Sequence, residues 1–353
     1  MSRAAAPVVA GVTTTPPFRL SVLDRSRTRR GEEPARALRD TVAFAVEAER
    51  LGYHRFWVSE HHGVPGVAGS APTVLAAAVA SATERIRVGT GGVMLPNHQP
   101  LVVAEQFGVL AALSPGRIDM GLGRSVGFTD GVRRALGREK DSADRFPEQL
   151  AELLAYFDAP SSAPHGVHAR PAEGLDVPAF VLATGAGADV AAEAGLPLVI
   201  AAARGQERMF EAIDRYRERF RPSARASRPY VVLSGTVAVA GSESEARDLL
   251  VPEAWAAAHS RTHGEFPPLA PTGEILSRTM TPRERAAFQQ SLTGHIAGTP
   301  QQAWARLTEL MERAAADEFL LATSTYDRDA LFTSYRLLAQ VAGLRPLPAG
   351  TQD

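Results

Sequence analysis

Three side chains that can exchange protons or bind a metal, Glu60, His61 and His62, come at the end of an apolar run, RFWVSE. Three roles are open to them: metal ligation, acid–base catalysis near neutral pH, or capping of the polar end of a strand. Successive side chains of a strand point to opposite faces, which disfavours a metal shared by the adjacent histidines. HGVH at 165–168 adds no convincing third ligand, and we predict no metal site.

A cluster of glycines ends another apolar run, in GTGGVMLP at 89–96. Gly91 and Gly92 remove side chains at a point where a flat ring could approach the backbone. Close packing between neighbouring strands of a barrel would need the same residues. On the residues alone, both interpretations stay open.

Two further strand ends have residue types that suit a phosphate. GLGRS at 121–125 places Arg124 among small residues, and a guanidinium matches phosphate oxygens, although an exposed structural arginine is equally consistent. ATGAG at 183–187 leads into a helix predicted from about residue 186, where Thr184 offers a hydroxyl and the helix N-terminus attracts anions. Simple N-capping would use the same residues. Together with the glycines, these segments predict a site for a flat cofactor that carries a phosphate.

The elements that must position these residues alternate regularly along the chain. Helical periodicity fills most of the gaps between eight apolar runs, which predicts the α/β class and a single (β/α)₈ TIM barrel with its chemistry at the carboxyl ends of the strands. A long insertion after strand 7, at 240–299, is typical of a lid or binding loop. The predicted strands are 19–24, 55–60, 86–95, 117–123, 178–184, 196–202, 230–240 and 317–323. The predicted helices are 34–52, 71–82, 99–113, 144–157, 186–195, 204–220, 301–315 and 327–342.

Composition excludes several classes of function. The 353 residues carry a formal net charge of −1, which gives no electrostatic basis for binding nucleic acid or an anionic membrane. Cysteine is absent, so disulfides and thiolate catalysis are excluded, and we predict a cytoplasmic protein. Residues 1–17 are interpreted as a disordered leader, 18–344 as the barrel domain and 345–353 as a tail.

Four segments together resemble the bacterial luciferase-like flavin-dependent monooxygenases, and the resemblance covers the chain from Phe18 to Leu344. They are FWVSEHHGVPGVAGSAP, RIRVGTGGVMLPNHQPLVVAEQF, LSPGRIDMGLGRS and ADEFLLATSTYDRDALFTSYRLLA. The resemblance implies that His61 is the active-site histidine, that Glu60 positions it, and that His62 turns away to hold the following loop. It also implies that the backbone of Gly91 and Gly92, often joined by a cis peptide, lies beneath the isoalloxazine ring.

The same resemblance implies a phosphate site built from two segments. Relatives usually place two or more Ser or Thr residues in the turn that corresponds to 183–188, whereas here one hydroxyl remains, which predicts weak flavin binding or an altered cofactor geometry. The residues carried over are Arg124, Ser125, Val126, Thr184, Gly185 and Gly187.

The resemblance further implies reduced FMN as a co-substrate, supplied by a separate flavin reductase, and O₂, which adds to the flavin to give a C4a-hydroperoxide. A small organic substrate is then oxygenated, and a tailoring step in secondary-metabolite or antibiotic biosynthesis is one role that fits. A homodimer is expected. Two alternatives remain: hydride transfer with the deazaflavin F420, and a flavin-binding barrel without catalysis.

Overall fold

The structure, a computed structural model, describes residues 16–158, 164–203 and 205–346. Most of the predicted leader and tail, residues 1–15 and 347–353, lies outside the described residues, so the predicted domain division stays a prediction. These described residues contain eleven strands. They are β1 (Arg19–Asp24), β2 (Arg55–Val58), β3 (Arg87–Thr90), β4 (Val93–Met94), β5 (Ile118–Gly123), β6 (Ala179–Ala183), β7 (Leu198–Ala201), β8 (Val231–Gly235), β9 (Val237–Val239), β10 (Ile296–Gly298) and β11 (Glu318–Leu321).

The main sheet closes into a barrel of parallel strands. Its order is β3-β2-β1-β11-β8-β7-β6-β5-β4, and an additional pairing of β3 with β5 closes it. Each of the eight predicted apolar runs contributes one barrel strand, with the third run divided between β3 and β4 around the Gly91–Gly92 peptide. The predicted (β/α)₈ barrel is therefore confirmed.

In the part of the chain that the structure describes, thirteen α-helices surround or extend the barrel. They are α1 (Pro34–Leu51), α2 (Pro72–Ala82), α3 (Pro100–Leu113), α4 (Asp130–Ala135), α5 (Phe146–Ala155), α6 (Gly187–Glu193), α7 (Gln206–Arg219), α8 (Glu243–Asp248), α9 (Val251–His263), α10 (Thr272–Leu276), α11 (Pro282–Ser291), α12 (Pro300–Ala314) and α13 (Arg328–Val341). The ends of α1 were predicted well from the sequence because residues with clear helix-start and helix-stop preferences stand there. Proline stands at its first turn, and Gly52 ends it with φ +85°, where a Cβ would lie 2.0 Å from the Arg345 carbonyl oxygen.

The amino end of the barrel is filled by a buried ionic network that takes no part in the cleft. Arg55 donates to Glu318 at 2.9 Å and to Asp119 at 2.7 Å, and Arg87 also pairs with Asp119. Above it, Trp57 and Phe180 pack edge to face across the barrel interior. These contacts hold the strands in register and leave the carboxyl ends free for a site.

The insertion after strand 7 is more ordered than the sequence suggested. Residues predicted as a lid or binding loop form α8 to α11 and the short strand β10, which pairs in parallel with β9. Trp255 and Phe288 pack with Val251 and Ile275 in a small core of their own. Helical periodicity in VPEAWAAAHSRTH was readable, but the flanking Pro- and Gly-rich residues obscured it. Its role as a lid stays a prediction.

None of the helices in the described part of the chain combines the length and the apolar character that crossing a membrane would require.

Candidate active site

The carboxyl ends of the strands surround a cleft of about 1150 Å³. Both segments predicted to bind phosphate reach it, one from the end of β5 and the other from the end of β6. Its floor is apolar and includes Leu23, Leu182 and Leu320. The predicted residues that line the cleft are Arg124, Ser125, Val126, Thr184, Gly185 and Gly187.

The end of the cleft that is predicted to bind phosphate is open to solvent. The side chain of Arg124 is 43% exposed, and its contact with Asp144 is long, at 3.5 Å. Thr184 is also exposed and lines the cleft. The helix that follows, α6, has only seven residues, and Ala186 at its N-cap makes no side-chain hydrogen bond. The guanidinium of Arg124 is therefore available to an anionic ligand, while the turn before α6 offers mainly backbone N–H groups.

The glycine pair lies at the break between β3 and β4. The Gly91–Gly92 peptide is cis, the configuration that the resemblance implied. A Cβ on Gly91 would lie 2.6 Å from Leu23 Cδ1, and one on Gly92 would lie 2.7 Å from the Gly121 carbonyl oxygen. Packing against Leu23 of β1 and Gly121 of β5 thus accounts for both glycines, which was the alternative to a ring-binding role. Leu23 lines the cleft, and the placement of a flavin ring over the pair stays a prediction.

Glu60 is the centre of a buried hydrogen-bond cluster. Its side chain is fully buried and accepts from His62 Nε2 at 2.7 Å, His98 Nε2 at 2.9 Å, Asn97 Nδ2 at 3.1 Å and the Met94 backbone N–H at 2.9 Å. Burial raises the pKa of Glu60, but the hydrogen bonds from His62 and His98 outweigh it and lower the pKa to about 2. The carboxylate is therefore ionised and joins the end of β2 to the segment that follows the glycine pair.

This cluster corrects two expectations. Glu60 was predicted to position His61, yet among the described residues its side-chain partners are His62, His98 and Asn97. His62 was predicted to turn away and hold the loop, but it holds Glu60 instead and also lines a cavity that it shares with His61. His98 and Asn97 were missed. The polar segment PNH follows an apolar run in the sequence. Its function could not be inferred there, because only the fold shows that it lies against Glu60.

The same cluster has the donor set of a metal site. Ligand atoms of Glu60, His62 and His98 lie within 4.8 Å of one another, so His98 supplies the third ligand that the sequence seemed to lack. Asn97 Oδ1 is buried nearby without a hydrogen-bond partner in the described chain. Hydrogen bonds already occupy both carboxylate oxygens, and this bonding accounts for the geometry as it stands.

His61 lies beside the cluster in a different environment. Its backbone N–H donates to the Gly69 carbonyl at 2.8 Å, and its Nδ1 pairs with Ser59 Oγ at 3.2 Å. Desolvation, reinforced by Arg25 and Arg27, lowers its pKa to about 4. The ring is therefore neutral at physiological pH. Phe128 stacks on it, with ring centroids 5.9 Å apart and planes inclined by 19°.

A second cavity of about 480 Å³ opens on the His61 side. Phe128 lines this cavity as well as the cleft. The loop after β2 and the insertion form its other walls, joined by a hydrogen bond from the Gly66 N–H to the Phe266 carbonyl at 2.8 Å. The geometry therefore offers two adjacent spaces that share Phe128, one lined by the residues predicted to bind phosphate and one lined by a neutral histidine.

A barrel with these spaces at its carboxyl end belongs to a large class of enzymes, and comparison with known proteins narrows the class. The family model described as luciferase-like monooxygenase matches residues 17–318. The chain belongs to the luciferase-like monooxygenase family, and it is an oxidoreductase of that family.

Two relatives illustrate the range of similarity. A protein of Escherichia coli K12 described as a luciferase-like monooxygenase is 35% identical over 323 residues, covering 91% of this chain and 96% of the relative. The N-acetyl-S-alkylcysteine monooxygenase of Bacillus subtilis is 47% identical over 140 residues, which cover 39% of this chain and 42% of the relative.

Solved structures support the same fold. The structure of apo-MsnO8 matches with a TM-score of 0.83 and 32% identity, covering 94% of this chain and 99% of that one. The oxygenating constituent of 3,6-diketocamphane monooxygenase from Pseudomonas putida, in complex with FMN, matches with a TM-score of 0.67, 18% identity, and coverage of 94% and 100%. An F420-dependent secondary alcohol dehydrogenase matches with a TM-score of 0.68, 16% identity, and coverage of 92% and 99%. The last two show the fold alone.

Proposed function

We propose that the protein is a monooxygenase that uses reduced FMN and O₂ to oxygenate a small organic substrate. The observation that carries the proposal is that Phe128 lines both spaces and stacks on His61, which lines the second one. One space has an apolar floor and an available guanidinium, which suit a flavin ring and its phosphate. The other is large enough for a compact organic molecule.

The residues of the cleft fit a flavin phosphate and ring. Among the described residues Arg124 makes one ion pair, a long contact with Asp144, and Thr184 and Gly185 line the same cleft. Leu23, Leu182 and their neighbours provide an apolar floor. A bound reduced flavin would supply the activation of O₂, and the chain would supply orientation and a dry environment.

His61 is suited to hold or move one proton. Its Nδ1 is engaged by Ser59, which leaves Nε2 as the ring nitrogen for proton exchange with substrate or cofactor. Because its pKa is about 4, the ring begins as a neutral base at physiological pH. Water exclusion would come from the insertion, which is fastened to the loop after β2 through Phe266.

The partners remain part of the proposal. A separate reductase that supplies reduced FMN follows from the resemblance. A homodimer is supported by an exposed apolar face on α2 and α3, where Val74 is 70% exposed and Leu113 is 76% exposed, with Val102 and Val109 nearby on α3. A cytoplasmic location is supported by the absence of cysteine.

Two kinds of substrate are proposed for testing. The name of the Bacillus subtilis relative makes an N-acetyl-S-alkylcysteine the first compound to test. A tailoring step in secondary-metabolite biosynthesis is the other role we propose to test, with genomic neighbourhood as the guide. In either case the reaction places one oxygen atom of O₂ in the substrate and the other in water.

The decisive experiment is an anaerobic titration of the protein with reduced FMN and, separately, with reduced F420, followed by exposure to O₂ with a candidate substrate. We expect FMN binding and an oxygenated product. His61→Asn should lower the rate of product formation about 100-fold or more, with the Kd for reduced FMN changed less than about threefold. His165→Asn, on an exposed loop, is the matched control.

Two outcomes would contradict the proposal. Tight F420 binding with reduction of a substrate and no O₂ consumption would favour hydride transfer. Flavin binding without turnover of any substrate tested, with no effect of His61→Asn, would favour a barrel that has lost catalysis.

A further inference from the structure

The cavity beside His61 has a chemical character of its own. Its walls include the apolar side chains of Val64, Pro65, Val67, Phe128 and Phe266. Such walls suit a compact apolar body rather than a sugar or a nucleotide. The polar groups that also reach the cavity therefore decide which end of a ligand faces which wall.

The strongest of these polar groups is Arg25, which belongs to a buried group of three charges. Its Nη1 lies 2.9 Å from Glu253 Oε1, and Arg27 Nε lies 2.9 Å from Glu253 Oε2. The pKa of Glu253 is held below its usual value although burial raises it, because the two guanidinium groups stabilise the carboxylate. Two positive charges thus share one negative charge, and the group has a net charge of +1.

Arg25 is the member of this group that faces the cavity. Its side chain is 23% exposed, against 2% for Arg27, and neither Arg27 nor Glu253 lines the cavity wall. Arg25 Nη2 makes long contacts, 3.2 Å to the Ala322 carbonyl and 3.4 Å to Ser324 Oγ. Arg25 Nε is buried and has no hydrogen-bond partner within the part of the chain that the structure describes.

One carboxylate belongs to the cavity wall among the described residues. It is Glu265, which is exposed at the surface, where water screens it. Glu60 and Asp24 do not line the cavity: the ionised Glu60 accepts from His62 and His98, and Asp24 accepts from Thr41. The cavity is therefore largely apolar, with the guanidinium of Arg25 at its wall.

We propose that this cavity binds the organic substrate, and that the substrate is a compact, largely apolar molecule with one carboxylate, which is placed against Arg25. This inference rests on the proposed function, since it names the substrate class of the same site. The carboxylate would supply the missing negative charge and hydrogen-bond acceptors, and the apolar body would lie between Phe128 and Phe266. The reacting atom would then lie near His61.

The environment of His61 links this cavity to the proposed proton acceptor. Desolvation lowers the pKa of His61 most, Arg25 and Arg27 lower it further, and Glu253 and Glu60 raise it. A carboxylate bound at Arg25 would offset part of the effect of the arginines and raise the pKa of His61. Substrate binding would thereby change the basicity of the proposed proton acceptor.

The test uses the full chain without a reductant, so that no turnover occurs. Isothermal titration calorimetry compares N-acetyl-S-benzylcysteine with N-acetyl-S-benzylcysteinamide, which differ only in the carboxylate. We expect the acid to bind about tenfold more tightly or better, the value of one charge-assisted hydrogen bond. Val64→Trp, which fills the cavity, should weaken the binding of both compounds about tenfold or more.

Charge variants then identify the partner of the carboxylate. Arg25→Gln should bring the two affinities within about twofold of each other. Because that change leaves Glu253 with only Arg27, the double variant Arg25→Gln/Glu253→Gln removes both members of the pair and keeps the fold testable. It should also lose the preference for the acid. Glu253→Gln alone should increase the preference, and Arg247→Gln, on the exposed surface of α8, should not change it.

Equal affinity of the wild type for acid and amide would overturn the inference. So would a preference that survives in the double variant, or binding of both compounds that Val64→Trp leaves unchanged. Failure of the proposed function has a different signature, since it would abolish oxygenation with reduced FMN while leaving this calorimetric preference intact.

Discussion

Two regions beside the cleft are built on opposite principles: the Glu60 cluster, which reaches the cleft wall through Met94 and is called the inner end, and the segment of Arg124, called the outer end. At the inner end, Glu60 is fully buried and accepts hydrogen bonds from three side chains and one backbone N–H, so the segment that follows Gly92 is fixed before any ligand arrives. At the outer end, Arg124 is 43% exposed and held only by a long contact. The side chains of the inner end are held in place without a ligand, whereas those of the outer end would be fixed mainly by contacts with a bound ligand. Mutations should therefore damage stability at one end and affinity at the other.

The largest effect is expected at the centre of the inner end. Glu60→Ala removes the acceptor of His62, His98 and Asn97 and leaves buried donors without partners. We expect the free energy of unfolding to fall by about 3 kcal/mol, and kcat/KM to fall about 100-fold through displacement of the loop beside the cleft. Urea unfolding and steady-state kinetics measure the two. Glu84→Ala, at an exposed carboxylate, is the control. Unchanged stability would show that the cluster does not hold the inner end.

His61 should give the next effect, a pH dependence unlike that of an ordinary histidine. Because its pKa is about 4, the acid limb of kcat/KM should lie near pH 4, not near the usual value of about 6.5. Stability should follow the same group. The unfolded chain binds this proton at higher pH than the folded chain, so the free energy of unfolding falls as pH drops from about 6.5 through about 4.

Rate profiles and unfolding curves between pH 4 and 8 check both expectations. His61→Asn should flatten the part of the stability profile that this residue contributes. A limb at pH 6 to 7 in the wild type would mean that the ring is more hydrated than its surroundings indicate, and it would remove the contrast between His61 and a surface histidine.

The sequence predicted the barrel and the outer end better than it predicted the inner end. Strand ends are local signals, so Arg124 and Thr184 could be placed at the rim from apolar runs and a barrel count. Apart from His62, the partners of Glu60 come from a segment more than thirty residues away, and which side chain meets which depends on how β3 breaks at Gly91. No spacing rule in a single sequence contains that register, which is why His61 was assigned to Glu60 and His98 was overlooked.

In the insertion, the opposite error occurred: local signals for helices were present, but the segment was predicted to be a loop. Its residues have helical periodicity in α9 and capping residues at Ser242 and Thr281, both of which accept a hydrogen bond from the third residue of the helix. Those signals were local and readable. Length and Pro/Gly content nevertheless favoured a loop, since the sequence alone did not reveal that Trp255 and Phe288 bury one another.

At the outer end, Arg124→Gln should weaken binding of reduced FMN about tenfold and leave stability unchanged within about 0.5 kcal/mol, because an exposed side chain with one long contact contributes little to folding. kcat at saturating flavin should stay near the wild-type value. Anaerobic fluorescence titration gives the affinity. Arg134→Gln, on α4 outside the cleft lining, is the matched control. A loss of kcat without a loss of affinity would place Arg124 in the chemistry instead of the binding.

The smallest expected effect is a gain in affinity for reduced FMN. It tests whether the scarcity of hydroxyl groups at the outer end limits that affinity. Ala186 lines the cleft at the N-cap of α6 and makes no side-chain hydrogen bond. Ala186→Ser adds a hydroxyl that can donate to a phosphate, and we expect reduced FMN to bind about two- to fivefold more tightly. Gly187→Ser is the informative contrast, since its Cβ would lie 3.0 Å from that of Ala183 and packing would oppose the gain. If both variants bind flavin like the wild type, backbone N–H groups already satisfy the phosphate, and the open outer end is complete as it stands.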